Sequence, residues 1–157
     1  MTAPISIRPA VSADLPDLGA LYGHLEAENA ALDARRADEI LQQFKRFDGS
    51  EVFIGRIHDA MVTSCALVVI PNLTRLGAPY GLIENVVTHP DHRQRGYGQA
   101  ILKAAIDAAW AAGCYKVMLL AGSKSPAILR FYQGAGFSQS KTGFQIRQIT
   151  ARPEQAL

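Results

Sequence analysis

The chain opens with Ile5-Ser6-Ile7-Arg8, whose alternation of apolar and polar side chains has the two-residue period of a short strand closed by Pro9. Ser12 or Asp14 then caps a helix beginning near Leu15-Pro16, with Leu15, Leu18, Leu21, Tyr22 and Leu25 on one face. A polar, alanine-rich stretch from Glu26 to Ala37 leads into a second helix with Ile40, Leu41, Phe44 and Phe47 on one side, ended by Asp48-Gly49-Ser50. Val52, Ile54 and Ile57 mark the next strand, and a tight turn at His58-Asp59-Ala60 leads to a longer one. That strand, Met61 to Ile70, is almost wholly apolar at its end and reads as central in a sheet.

Pro71 to Pro79 is a loop, followed by a β-branched run from Ile83 to Thr88 that stops at Pro90. After Gly98 an alanine-rich helix runs to about Ala112, with Ile101, Leu102, Ala105, Ile106, Ala109 and Trp110 facing inward and Gly113 as its stop. Tyr115 to Ala121 reads as a buried strand, and a strand–helix–strand unit of this length predicts a parallel pair with a right-handed crossover. Ser125-Pro126 starts a last helix carrying Ile128, Leu129, Phe131 and Tyr132 and ending at Gly134 or Gly136. Phe137 and Phe144 to Ile149 give terminal strands in a hairpin-like antiparallel end, and the tail from Ala151 is expected to fray. The pattern predicts a single domain over residues 1–150 built on a mixed α/β sheet with one central parallel pair.

A length of 157 residues, 48% hydrophobic and 19% charged, is enough for one real core and argues against disorder. The net charge of +2 without a Lys/Arg run argues against nucleic acid as a partner. There is no basic-then-apolar leader and no apolar run of about 18 residues, so membrane association is not expected and a cytoplasmic location is. Cys65 and Cys114 sit in apolar runs and read as buried free thiols.

The chemistry concentrates in residues 82–100. A strand, a basic glycine turn and a helix N-terminus follow one another, bringing unpaired backbone N–H groups and the positive end of a helix to one point, as a phosphate or pyrophosphate requires. Arg93 and Arg95 add charge there. A Walker loop is absent. A dinucleotide fingerprint fails as well: Gly96-Tyr97-Gly98-Gln99-Ala100-Ile101 has Ile at its third glycine position, and seven residues separate Thr88 from Gly96. His89 and His92 flank Pro90-Asp91 without further ligands in sequence reach, so no metal is expected there.

Arg93-Gln94-Arg95-Gly96-Tyr97-Gly98 resembles the Arg/Gln-x-x-Gly-x-Gly/Ala turn of the GNAT superfamily of acyl-CoA N-acyltransferases. Ser125-Pro126-Ala127-Ile128-Leu129-Arg130-Phe131-Tyr132-Gln133-Gly134-Ala135-Gly136-Phe137 is similar to a second segment of that family, Asn-x-x-Ala-x-x-Leu/Phe-Tyr-x-x-x-Gly-Phe. The order of elements agrees from Ile5 to Ile149. The resemblance implies a mixed, mostly antiparallel sheet flanked by about four helices, with the fourth and fifth strands parallel and splayed to admit acetyl-CoA as co-substrate, and no metal.

On this resemblance Val86, Val87 and Thr88 meet the pantetheine arm, and a backbone N–H near Val86 holds the oxyanion. Gln94, Arg95, Gly96, Tyr97, Gly98 and Gln99 cradle the pyrophosphate, with Arg93 and Arg95 as charge partners. Ser125 stands where the family often has Asn, and is either a cofactor contact or simply a helix cap. Glu84 is the candidate base, two residues before Val86 and therefore expected on the same face of the strand; a surface or salt-bridged Glu is the bland alternative. Tyr132 corresponds to the family's tyrosine that protonates the departing thiolate, against the alternative of a core tyrosine beside Phe131.

The implied activity is acetyl transfer from acetyl-CoA to a primary amine, a small molecule being favoured over a protein lysine or N-terminus. Glu26, Glu28 and Asp33 are either attractors for a cationic amine or a solvated face. An acetyl-CoA-binding regulatory domain without turnover is the runner-up, a protein-interaction module using Tyr80 and the 71–79 loop is the third reading, and a homodimer is an expectation by analogy.

Overall fold

A computed structural model describes residues 4–25 and 32–148. Glu26, Glu28, Ile149 and the tail from Ala151, all invoked above, lie outside them. Five strands form one sheet in chain order: β1 (Ser6–Pro9), β2 (Glu51–Ile57), β3 (Ala60–Ile70), β4 (Tyr80–Thr88) and β5 (Val117–Met118). The first four pair antiparallel and β4–β5 is parallel. The helices are α1 (Leu15–Tyr22), α2 (Ala34–Phe44), α3 (Tyr97–Ala111) and α4 (Pro126–Gly134). The fold is thus the mixed α/β arrangement expected, with β3 at its centre.

Alternation along the strands sends apolar side chains to two cores. Phe53, Cys65, Leu67, Val69 and Ile83 pack with Ile101, Leu102, Ala105 and Ala109 of α3. Val52, Ile54, Ala66 and Val87 pack on the other face with Leu18 and Leu21 of α1 and Leu41 of α2. Two helix ends carry recognisable caps. Asp33 accepts the Arg36 N–H at the start of α2, and Gly113, at φ 79°, follows the end of α3. Both cysteines are buried and unbridged, and burial pushes the Cys65 thiol up to about 12.

Several expectations are corrected. Phe47 lies past the end of α2 and is 55% exposed, and Leu25 lies past α1. Trp110 is half exposed, and α3 packs against the sheet through Ile101, Leu102, Ala105 and Ala109 instead. The strand expected from Tyr115 to Ala121 pairs only over Val117–Met118, with Leu120 exposed. Residues 138–147 form no strand, leaving Phe144 and Ile146 in solvent. The parallel pair therefore lies at the edge of the sheet rather than at its centre.

One buried charge ties the first strand to the first helix. The Asp14 carboxylate takes both guanidinium arms of Arg8, at 2.7 and 2.8 Å, and the Val11 N–H at 2.9 Å, with Arg56 at 3.4 Å. The Arg8 bonds outweigh desolvation and hold this carboxyl down at about 2. The depressed value stabilises the fold above the ordinary carboxylate pKa of 3.8, and that contribution is lost as the pH falls toward about 2. Asp14→Asn is expected to cost about 2 kcal/mol at pH 7 and progressively less toward pH 2. Urea unfolding at the two pH values checks this, and an equal loss at both would contradict it.

Candidate active site

β4 carries an irregularity that sets every direction in the site. Ser64 pairs with Val87 and Ala66 with Glu84, so the single residue Cys65 on β3 faces two residues, Asn85 and Val86, on β4. Asn85 takes up the extra length in a left-handed conformation, φ 52°. This is a β-bulge, and Asn is among the few non-glycine residues that tolerate the conformation.

The bulge exchanges the two faces of the strand. Ile83 and Val86 both pack toward α3, whereas Val87 packs toward α1 and α2. The alternation argument that put Glu84 and Val86 on one face is therefore wrong: Glu84 alternates with Ile83 and belongs to the α1/α2 side, where it is exposed. Beyond the bulge Thr88 faces α3. His89 instead meets His24, in the turn that follows α1, ring centroids 4.4 Å apart, beside a cavity of about 220 Å³ lined by Asp17, Asp59 and Met61 as well.

The free edge of β4 adjoins this bulge. β5 pairs only with Gly81 and Leu82, so from Ile83 to Thr88 the strand has no neighbour on that side among the described residues. Backbone groups along such an edge are available to an amide-bearing ligand.

At the end of β4 the chain passes a 3-10 turn at Pro90–His92 and enters the basic turn. Arg93 Nε donates to Thr88 O at 3.3 Å, tying the turn to the strand. Gln94, φ 58°, and Gly96, φ 82°, bend the chain so that the first turn of α3 faces outward. A Cβ on Gly98 would lie 3.1 Å from the Phe131 ring and 3.2 Å from Thr88 Oγ1, so β4, α3 and α4 meet at that glycine. Arg93, Gln94, Arg95 and Gln99 are exposed. Tyr97 contributes only backbone to the turn, since its side chain is buried with Ile57 and Val62.

α4 borders the same region. Ser125 caps it, its Oγ accepting the Ile128 N–H at 3.3 Å. Tyr132 is half-buried, edge-on to Phe131 at 5.0 Å. Burial first, and the Glu84 carboxylate second, raise its phenol above the ordinary value, so it holds its proton at neutral pH. Among the described residues no group of three His, Cys, Asp or Glu side chains is set to hold a metal, and no helix is long and apolar enough to cross a membrane. The partnership of His24 with His89 carries no local signal, because 64 residues lie between them.

A free strand edge leading into a basic turn at a helix N-terminus is the arrangement of an acyl-CoA-dependent transferase. The chain belongs to the acetyltransferase (GNAT) family, whose profile matches residues 19–137, and it is an acyltransferase. It is 32% identical over 142 residues to a glucosamine 6-phosphate N-acetyltransferase of Trypanosoma brucei brucei, covering 85% of this chain and 88% of that protein. A solved structure from Agrobacterium tumefaciens str. C58, assigned only provisionally as an acetyltransferase, is 43% identical with a TM-score of 0.85, covering 91% of this chain and 99% of that one. An acetyltransferase structure from Trypanosoma brucei follows at 27% identity and a TM-score of 0.80, covering 92% and 99%.

The bulge gives a direct test. Asn85→Val places a β-branched side chain in the left-handed region and is expected to cost about 1–2 kcal/mol, while Asn85→Gly is expected to be near neutral. Urea unfolding of the two variants checks it; equal stabilities would remove the conformational account of this residue.

Proposed function

We propose that this protein transfers the acetyl group of acetyl-CoA to the primary amine of a small molecule by direct attack on the thioester. The observation that carries the reading is the departure of β4 from β5 after Leu82, directly upstream of the basic turn at the start of α3. In this reading the pantetheine arm lies along Val86, Val87 and Thr88. The pyrophosphate sits on the N–H groups of residues 94–99 beside Arg93 and Arg95.

The bulge refines the reaction geometry. The thioester carbonyl lies at the free edge of β4, its oxygen accepting a backbone N–H at Val86, which stabilises the tetrahedral oxyanion. Glu84, on the α1/α2 side, takes the proton that the ammonium must lose before it can attack, through water where the reach requires it. The amine nitrogen forms its bond to carbon from that side, the C–S bond breaks with its electron pair on sulfur, and Tyr132 on the α4 side gives that sulfur its proton. The second proton, lost by the new amide nitrogen, returns through water to the Tyr132 phenolate. An acid with a raised pKa is a weak donor, but a thiolate of ordinary pKa near 8.5 asks little of it. Tyr132 therefore contributes less to the rate than Glu84. Ser125, engaged as a cap, is assigned to holding α4 rather than to the cofactor.

The Trypanosoma relative, a glucosamine 6-phosphate N-acetyltransferase, supports a small amine as the acceptor class. An amino sugar phosphate is thus the first acceptor to try, within a wider panel of small amines. Free-thiol release with acetyl-CoA is expected with at least one of them. Glu84→Gln is expected to lower kcat/KM about tenfold or more, and Tyr132→Phe to lower kcat by less, with binding of acetyl-CoA by calorimetry preserved in both. Acetyl-CoA binding without turnover on any amine would favour the regulatory reading. No acetyl-CoA binding would end both.

A further inference from the structure

A hydroxyl pair, Thr63 and Thr88, lies at the free edge of β4 with its Thr63 member fully buried. Thr63 sits on β3 directly opposite Thr88 and is 0% exposed. Its Oγ1 donates to Val87 O at 2.8 Å and lies 3.0 Å from Thr88 Oγ1. A hydroxyl has one hydrogen, and a carbonyl oxygen has none to give. With the Thr63 proton committed to Val87 O, the 3.0 Å contact can form only if Thr88 is its donor. The half-buried Thr88 hydroxyl is thereby fixed with its proton turned inward and lone pairs left for the side facing Gly98 and the start of α3.

We infer that Thr63 is a positioning residue that makes Thr88 an obligate hydrogen-bond acceptor, so that Thr88 recognises a donor group of the pantetheine arm and not the pyrophosphate. This rests on the acetyl-CoA reading above. A pyrophosphate at neutral pH offers only acceptor oxygens, which would face the Thr88 lone pairs unfavourably. The next polar groups along the arm are a hydroxyl and an amide, which, unlike the pyrophosphate, offer an O–H and an N–H that can donate. The boundary between phosphate grip and pantetheine grip therefore falls between Thr88 and the turn that begins at Arg93. Without the bulge at Asn85, the alternation would turn His89 rather than Thr88 toward α3.

The experiment compares wild type, Thr63→Val, Thr63→Ser, Thr88→Val and the Thr63→Val/Thr88→Val double variant by acetyl-CoA calorimetry and steady-state kinetics. Removing the inward acceptor is expected to raise KM for acetyl-CoA about three- to tenfold, with kcat within about twofold. Thr63→Ser is expected to restore the wild-type value, which mere loss of packing would not. The double variant is expected to be no worse than Thr88→Val alone, since Thr63 acts only through Thr88.

Two acetyl-CoA analogues test the same point without touching position 63, one lacking the pantothenyl hydroxyl and one with an ester oxygen in place of the adjacent amide N–H. At least one is expected to lose affinity several-fold on wild type and not on Thr88→Val. An unchanged KM in Thr63→Val, effects that multiply in the double variant, or analogues that both fail to discriminate would overturn the inference while leaving acetyl-CoA binding intact. No wild-type binding of acetyl-CoA would overturn the reading on which it rests, and the inference with it.

Discussion

The geometry of this protein depends on one residue of extra length in β4, absorbed by Asn85 at φ 52°. A strand without it would keep residues 83, 85, 87 and 89 on one face. With it, Ile83, Val86 and Thr88 face α3 while Glu84, Val87 and His89 face α1. The carboxylate and the proposed acyl-binding backbone are thereby put on opposite sides of one strand, and the free edge of that strand is where they meet. A base and a thioester approached from two sides avoid competing for the same space.

The edge itself follows from a short β5. Pairing that stops at Leu82 leaves β4 hydrogen-bonded on one side by β3 and open on the other. The open stretch ends at Thr88, whose carbonyl is held by Arg93 and whose hydroxyl is held by Thr63. Arg93 therefore fastens the strand end to the basic turn and Thr63 fastens it to β3, at the point where a ligand would pass from strand to turn. Gly98 allows α3 and α4 to close on that point because a Cβ there would press on Phe131 and Thr88 alike.

The parts of this arrangement legible in the sequence are those written locally. The glycine turn at residues 93–98, the Ser125-Pro126 helix start and the apolar length of β3 are each read from a few neighbouring residues, and each is found where expected. The bulge is different. Its signal is a mismatch of one residue between β3 and β4, and neither strand alone contains it. Strand alternation alone therefore puts Glu84 on the same face as Val86, and the bulge puts the two on opposite faces. Thr63 carries no signal within its own strand, since its meaning depends on a partner across the sheet. The C-terminal hairpin failed for a related reason: alternation in Phe144 to Ile146 marks a strand-competent segment, but strand formation needs a neighbour to pair with.

The central claim is that the free edge of β4 and the turn after it form a single binding surface for acetyl-CoA on the α3 side of the bulge. Residue-resolved amide hydrogen exchange with and without acetyl-CoA tests this most directly. The account predicts added protection at Val86–Thr88 and Gln94–Gln99 together, with the cavity between His24 and His89 unchanged. Protection that appears around that cavity and leaves the edge of β4 unaffected would contradict it.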